Sequence, residues 1–211
     1  MATTINTHPV AISQKTRAAV QVAVSLPNAD RASRSGMWVG IFAITMSFAA
    51  FSSALFVREG STDWVHLALP SVLILNTFIL LASSATLELS RRSLVAGRLI
   101  EPGNSTKSST WLLFTLLLGV AFCFGQYFAW RQLRAQGIYL ATNPNSSFFY
   151  VLTFIHVLHV LGGILALIYL AVRLLAAHSR VRRSLLDNTA IYWHFMGVLW
   201  VYLFLLCRMK L

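Results

Sequence analysis

Hydrophobic positions fill long stretches of this chain, and polar positions are confined to the segments between them. Five of these stretches approach or exceed the roughly 20 residues that a helix needs to cross the hydrocarbon core of a bilayer. They cover residues 37–57, 65–89, 111–131, 147–173 and 189–207. No sixth stretch of this kind is present. The pattern therefore predicts an all-α fold, an integral membrane bundle of five transmembrane helices.

The first 36 residues differ from the rest, because they are polar and contain Pro9, Pro27 and several serines and threonines. They lack the apolar core of a secretory signal peptide. We expect residues 1–36 to form a flexible cytoplasmic N-terminal tail. Residues 37–211 then form a single transmembrane domain.

Composition agrees with a membrane protein, and the distribution of charge predicts its orientation. Of the residues, 57% are hydrophobic and 11% charged, and the mean hydropathy is +0.68. Twelve of the 17 Lys and Arg residues lie in the N-terminal tail, the 90–110 loop and the end of the fourth span with its following loop. Because positive charge accumulates on the cytoplasmic side, the N-terminus is predicted to be cytoplasmic and the C-terminus periplasmic. The net charge of +11 then favours anionic lipid headgroups as partners, not nucleic acid, because the cations are dispersed over loops.

Two histidines in the fourth span, His156 and His159, raise the question of a metal or haem site. At about 1.5 Å per residue, they lie roughly 12 and 17 Å into the membrane. His194 of the fifth span lies only about 6 Å from the cytoplasmic boundary. No two spans therefore offer histidines at one level, as axial ligation of a haem between helices would require.

His156 and His159 share one helical face with Thr153 and Gly163. A catalytic metal usually has three protein ligands, and no Cys, Asp or Glu is predicted near this depth. Polar and small residues in membrane helices usually form packing contacts and hydrogen bonds between helices. We favour such a packing seam. A polar contact that tunes proton or lipid access is the second reading, and cofactor ligation the third.

Other polar residues in the spans favour the same structural reading. Asn76 and Thr77 are polar at the middle of the second span, and Gln126 is the only strongly polar side chain inside the third. We expect Asn76 and Gln126 to make hydrogen bonds to neighbouring helices. Glu88 is expected to pair with Arg91 and Arg92 at i+3 and i+4. The chain shows no nucleophile beside a base and no paired intramembrane carboxylates, so we predict no catalytic site, cofactor or metal in it.

Four segments together resemble subunit III of the haem-copper oxidases. They are LNTFILLASSATLE at 75–88, GQYFAW at 125–130, SFFYVLTFIHVLHVLGG at 147–163 and IYWHFMGVLWVYLF at 191–204. The chain is similar to the five-span form of that family. The resemblance implies a subunit that carries no haem or copper, packs against the catalytic subunit, binds phospholipid and helps to sustain proton uptake and resistance to turnover inactivation.

The resemblance also suggests roles for individual residues. His156 and His159 match the family's paired histidines, and Trp193 and His194 belong to its aromatic box. Arg173 stands where some members place an arginine on a lipid phosphate. The resulting lipid or packing candidates are Arg173, His156, His159, His194, Trp193, Asn76 and Gln126.

Three positions depart from the family pattern. Many members carry intramembrane carboxylates where this chain has Ser71, Ala129 and Gly197. Because ionisable groups inside a membrane are usually functional, their loss argues against a proton relay through this subunit. A structural and lipid-organising role is unaffected.

The leading function is therefore a non-catalytic subunit III of a respiratory haem-copper terminal oxidase in the bacterial inner membrane. The implied partners are subunit I, subunit II and phospholipids, with haem and copper in the partner subunits and cytochrome c or quinol reached only through the complex. One alternative is the subunit III-like accessory protein of a nitric oxide reductase. A stand-alone transporter or channel is another, although such proteins usually show internal repeats, broken helices or buried charges.

Overall fold

A computed structural model describes residues 14–59, 69–93, 99–100, 106–175 and 181–210. These ranges contain five long helices: α1 (Gln14–Glu59), α2 (Val72–Ser93), α3 (Thr106–Ala135), α4 (Pro144–Leu175) and α5 (Arg183–Lys210). Each contains a segment long and apolar enough to cross a membrane. The predicted all-α bundle of five transmembrane helices is confirmed.

The largest differences from the predicted helix boundaries are at the starts of α1 and α2. Helix α2 begins at Val72, because Pro70 just before it lacks an N–H and restrains the preceding residue from helical geometry. The backbone is already helical at Gln14, where we expected a flexible tail. Extending an existing helix is far easier than nucleating one, and the apolar span itself begins at Arg31. Residues 1–13 of the expected tail, and 65–68 of the expected second span, lie outside the described residues.

A two-residue antiparallel ladder joins two of the connections, which hydropathy does not predict. Strand β1 (Leu99–Ile100) lies between α2 and α3, and strand β2 (Val181–Arg182) lies between α4 and α5. Leu99 pairs with Arg182 and Ile100 with Val181. These two connections, both predicted to be cytoplasmic from their charge, therefore lie at the same end of the bundle.

Which side of the membrane this end faces can be tested directly. With twelve of 17 cationic residues on one side, the positive-inside rule places the strand pair in the cytoplasm. A phosphatase fused after Leu211 should be active in the periplasm, whereas a fusion in the 90–110 loop should be inactive. The opposite pattern of activities would refute the predicted orientation.

Helix α5 lies at the centre of the bundle and α1 at its edge. Half of the most apolar stretch of α5 is buried inside the bundle, compared with 22% of the most apolar stretch of α1. Helices α2 and α3 form the most extensive helix pair, and α5 packs on α2, α4 and α1. Side chains of α5 are consequently placed to bridge several helices.

Candidate functional site

Trp193 of α5 packs tightly against two glycines of neighbouring helices. It is fully buried, and a Cβ added at Gly119 of α3 would lie 2.8 Å from its ring. A Cβ at Gly163 of α4 would lie 3.0 Å from the same indole. The indole Nε1 donates a hydrogen bond of 3.0 Å to Ser83 Oγ of α2. One side chain thus contacts three helices besides its own.

Hydroxyl groups continue this contact between α2 and α3. Ser83 Oγ donates to the carbonyl of Thr115 at 3.2 Å, and the hydroxyls of Thr86 and Thr115 lie 2.9 Å apart. Sequence reasoning treated Ser83 only as part of a small-residue patch and missed Thr115. The sequence could have indicated both residues, because Ser83 and Thr115 each carry a hydroxyl group within an otherwise apolar helix.

Asn76 and Gln126, each expected to hydrogen-bond to a neighbouring helix, bond to each other between α2 and α3. Both side chains are fully buried. Asn76 Nδ2 donates to the carbonyl of Phe122 and to Gln126 Oε1, each at 3.3 Å. Gly125 makes this approach possible, because a Cβ at that position would lie only 1.9 Å from Asn76 Oδ1.

His156 of α4 lies among aromatic side chains of other helices, and its ring makes no hydrogen bond to the described residues. It is fully buried, and neither ring nitrogen has a partner among the described residues. Its ring centroid lies 5.1 Å from that of Trp200, 5.9 Å from that of Phe122 and 6.4 Å from that of Phe48. We expected the histidine to hydrogen-bond to a neighbouring helix. Aromatic side chains of α1, α3 and α5 fill that space instead.

His159 has a different environment one turn along α4. Its Nδ1 lies 2.8 Å from the carbonyl of Ile155 on its own helix, and Tyr192 of α5 donates to the His159 carbonyl at 2.9 Å. Among the described residues, no three His, Cys, Asp or Glu side chains come together. The structure therefore gives the His156 ring aromatic packing and the His159 ring a hydrogen bond within its own helix.

His194 belongs to a separate ionic cluster at the end of the bundle that carries the strand pair. Its Nε2 lies 3.9 Å from Glu88, which also pairs with Arg91 at 2.8 Å and Arg92 at 2.9 Å. Arg91 additionally lies 3.5 Å from Asp187. The sequence predicted the Glu88 pairs but not Asp187, whose partner is distant in sequence. His194 is partly exposed, with 39% of its side chain accessible, so it does not lie in the tightly packed region around Trp193.

Arg173 lies near the end of α4, on the exposed side of the bundle. Its guanidinium carbon is 5.7 Å from the ring centroid of Tyr169. At the predicted cytoplasmic end of a span, an arginine side chain can extend to the lipid headgroups.

The three positions without carboxylates differ in accessibility. Ser71 is exposed just before α2, whereas Ala129 and Gly197 are buried. A Cβ at Gly197 would lie 3.2 Å from Ser84 Oγ of α2. Even a methyl group at this position would require the Ser84 side chain to move by a few tenths of an ångström.

Comparison with known proteins supports the resemblance found in the motifs. Residues 31–209 match the family described as cytochrome c oxidase subunit III. The chain belongs to this family. The match includes all five apolar spans and every candidate residue above.

Individual members of the subunit III family show how far the similarity extends. "Probable cytochrome c oxidase subunit 3" of Mycobacterium bovis is 31% identical over 129 residues, 61% of either chain. "Cytochrome c oxidase subunit 3" of Corynebacterium diphtheriae is 28% identical over 204 residues, 92% of this chain and 96% of the relative. "Heme-copper oxidase subunit I+III" of Aeropyrum pernix is 30% identical over 183 residues, 81% of this chain and 22% of the relative.

The matched region covers different shares of the individual relatives. The chain matches about 61% of the length of the mycobacterial relatives. Subunit III membership, together with the five apolar helices, makes the chain a multi-pass bacterial membrane protein.

Proposed function

We propose that this chain is the non-catalytic subunit III of a respiratory haem-copper oxidase. Such a complex reduces oxygen to water and couples the reaction to proton translocation. The observation that carries the proposal is the subunit III family match over residues 31–209. The relatives reported above are named for cytochrome c oxidase or haem-copper oxidase, which favours the oxidase over a nitric oxide reductase or a transporter.

A structural role within the complex is supported by what the buried polar groups do. Trp193, Asn76 and Tyr192 donate hydrogen bonds to other helices. These bonds connect α2, α3, α4 and α5, which supports a structural role for the subunit. The haem and copper of the proposed oxidase would lie in the partner subunits.

Subunit I is the partner that we propose for direct contact. The relative from Aeropyrum pernix is named "subunit I+III", so its name joins the two subunits in one chain. An exposed apolar surface for such a contact is available on α1, where Trp38, Phe42 and Phe56 are at least half exposed. Phospholipids would cover the remaining apolar surface, with Arg173 as the candidate headgroup contact.

Purification from the native membrane tests this proposal. A tagged chain extracted in mild detergent should retain a catalytic subunit, a copper-bearing subunit II and the haem absorption bands of a terminal oxidase. The same chain expressed alone should contain no stoichiometric haem, copper, iron or zinc. Co-purification with a nitric oxide reductase, or haem bound to the chain by itself, would refute the proposal.

A further inference from the structure

The outer surface of α4 contains a hole whose floor is a glycine. Leu158, Leu161 and Leu165 are exposed apolar side chains, and Gly162 between them is also exposed. The four residues stand at i, i+3, i+4 and i+7, the spacing that forms a hole for one side chain of a second helix in knobs-into-holes packing. The nearest atom to a Cβ added at Gly162 is the Tyr192 hydroxyl, at 3.8 Å. The hole is therefore open to a neighbour outside the bundle.

His159 lies at the edge of this hole and midway along the apolar span Pro144–Leu174. Its ring is partly exposed and contacts Phe48 of α1, with 5.9 Å between the ring centroids. Ionisable side chains inside a membrane almost always face protein, a water-filled cavity or a pairing group, because hydrocarbon does not solvate them. A partly exposed imidazole at this depth therefore indicates that a further protein surface covers it in the membrane.

The hydrogen bond that His159 makes within α4 defines what its ring can still bind. Nδ1 lies 2.8 Å from the carbonyl oxygen of Ile155, and because a carbonyl only accepts, Nδ1 carries the hydrogen. In the neutral imidazole, which is the form that a membrane favours, Nε2 is then an acceptor. Among the described residues Nε2 has no donor, and the Tyr192 hydroxyl donates to the His159 carbonyl. The group that Nε2 lacks is therefore an N–H or O–H donor.

A transmembrane helix can supply such a donor at this depth, whereas a lipid chain cannot. Acyl chains carry no N–H or O–H, and lipid headgroups lie about 15 Å away, half the thickness of the hydrocarbon core. Hydroxyl and amide side chains of membrane helices donate hydrogen bonds across helix interfaces, and small residues let the backbones approach each other. Gly162 and His159 supply these two features side by side.

We propose that the α4 face around His159 and Gly162 docks a transmembrane helix of another subunit of the oxidase complex. A side chain of that helix occupies the hole bounded by Leu158, Leu161 and Leu165, and an N–H or O–H group of the helix donates to His159 Nε2. The inference rests on the proposed function, because it requires the chain to be part of an oxidase complex.

Photocrosslinking in the complex purified from the native membrane identifies what covers this face. Leu158 is replaced by p-benzoylphenylalanine. Leu117 of α3, replaced in the same way, is the matched control, because it is 56% exposed compared with 57% for Leu158. Irradiation should join position 158 to a membrane-spanning peptide of another oxidase subunit, which mass spectrometry identifies, whereas position 117 should give mainly lipid adducts.

The hydrogen bond is tested by how fast the chain dissociates from the complex in detergent. His159→Leu should raise the dissociation rate about threefold, and at most about twentyfold, as for other hydrogen bonds between membrane helices. His159→Gln should restore most of the loss, because its amide oxygen can reach the position of Nε2, whereas the shorter His159→Asn should not. Gly162→Leu, which fills the hole, should also speed dissociation without lowering the stability of the isolated chain.

Several results would contradict the docking site. Adducts of position 158 with lipid alone, or with a second copy of this chain, would overturn it. So would equal dissociation rates for the unmodified chain and His159→Leu, or a failure of His159→Gln to restore what His159→Leu loses. In all these cases the chain still purifies with the oxidase, so the proposed function stands. Absence of every oxidase subunit from the purified material would refute the proposed function, and this inference with it.

Discussion

Replacing Trp193 with alanine is expected to lower the free energy of unfolding of the bundle by about 3–5 kcal/mol. The indole fills the space between Gly119 and Gly163 and donates to Ser83. Its removal leaves a cavity among four helices and deprives Ser83 Oγ of the donor that it accepts from. Within a membrane, helix association depends on such packing contacts and hydrogen bonds, because the lipid is as apolar as the side chains. Unfolding by SDS titration in mixed micelles measures the change.

Trp38→Ala is the matched control for this experiment. Trp38 is 56% exposed on α1, so its truncation should change the stability by no more than about 0.5 kcal/mol. Trp193→Phe should fall between these two variants, because it keeps part of the ring but loses the hydrogen bond to Ser83. Equal stability of Trp193→Ala and Trp38→Ala would show that Trp193 does not hold the helices together.

Gly125→Ala is expected to destabilise the α2–α3 pair, although alanine is normally the better helix former. In an exposed helix the substitution gains up to about 1 kcal/mol. At position 125, however, the new methyl group would lie 1.9 Å from Asn76 Oδ1. The amide or the backbone must move, and overpacking of this kind costs about 1–3 kcal/mol. Thermal unfolding in detergent should therefore show a lower midpoint.

Gly162→Ala on α4 is the matched control for the change in stability that Gly125→Ala causes. A Cβ at Gly162 would meet only the Tyr192 hydroxyl, at an ordinary contact distance of 3.8 Å. This variant should be neutral or slightly stabilising. If Gly125→Ala behaved in the same way, the close approach of Asn76 to α3 would be wrong.

Hydropathy predicted the number of helices well because the hydrocarbon thickness fixes the length of a span. Hydropathy could not predict where α2 begins, because its start at Val72 depends on the conformational restriction that Pro70 imposes. Nor could it predict the extension of α1 to Gln14, since composition alone does not report the continuation of a helix beyond the membrane.

The candidate residues were only partly predictable. The rule that buried amides find partners on neighbouring helices predicted that Asn76 and Gln126 would hydrogen-bond across helices, but not that they would bond to each other. His156 is buried, as this rule predicts, but its ring makes no hydrogen bond to the described residues. Phe48, Phe122 and Trp200 surround the ring instead. The sequence also placed Trp193 and His194 in one seam, whereas the structure separates them. Adjacent residues of a helix point about 100° apart, so one faces Ser83 and the other Glu88.

The position of α1 at the edge of the bundle has a consequence for biogenesis. Helix α1 packs mainly on α5 and α4, which are synthesised after it. Phe48 contacts the rings of His156 and His159, and Ser33 accepts a hydrogen bond of 2.7 Å from Asn188. Helix α1 can therefore make these contacts only after α4 and α5 have been translated. A nascent chain arrested before α5 lacks the main packing partner of α1.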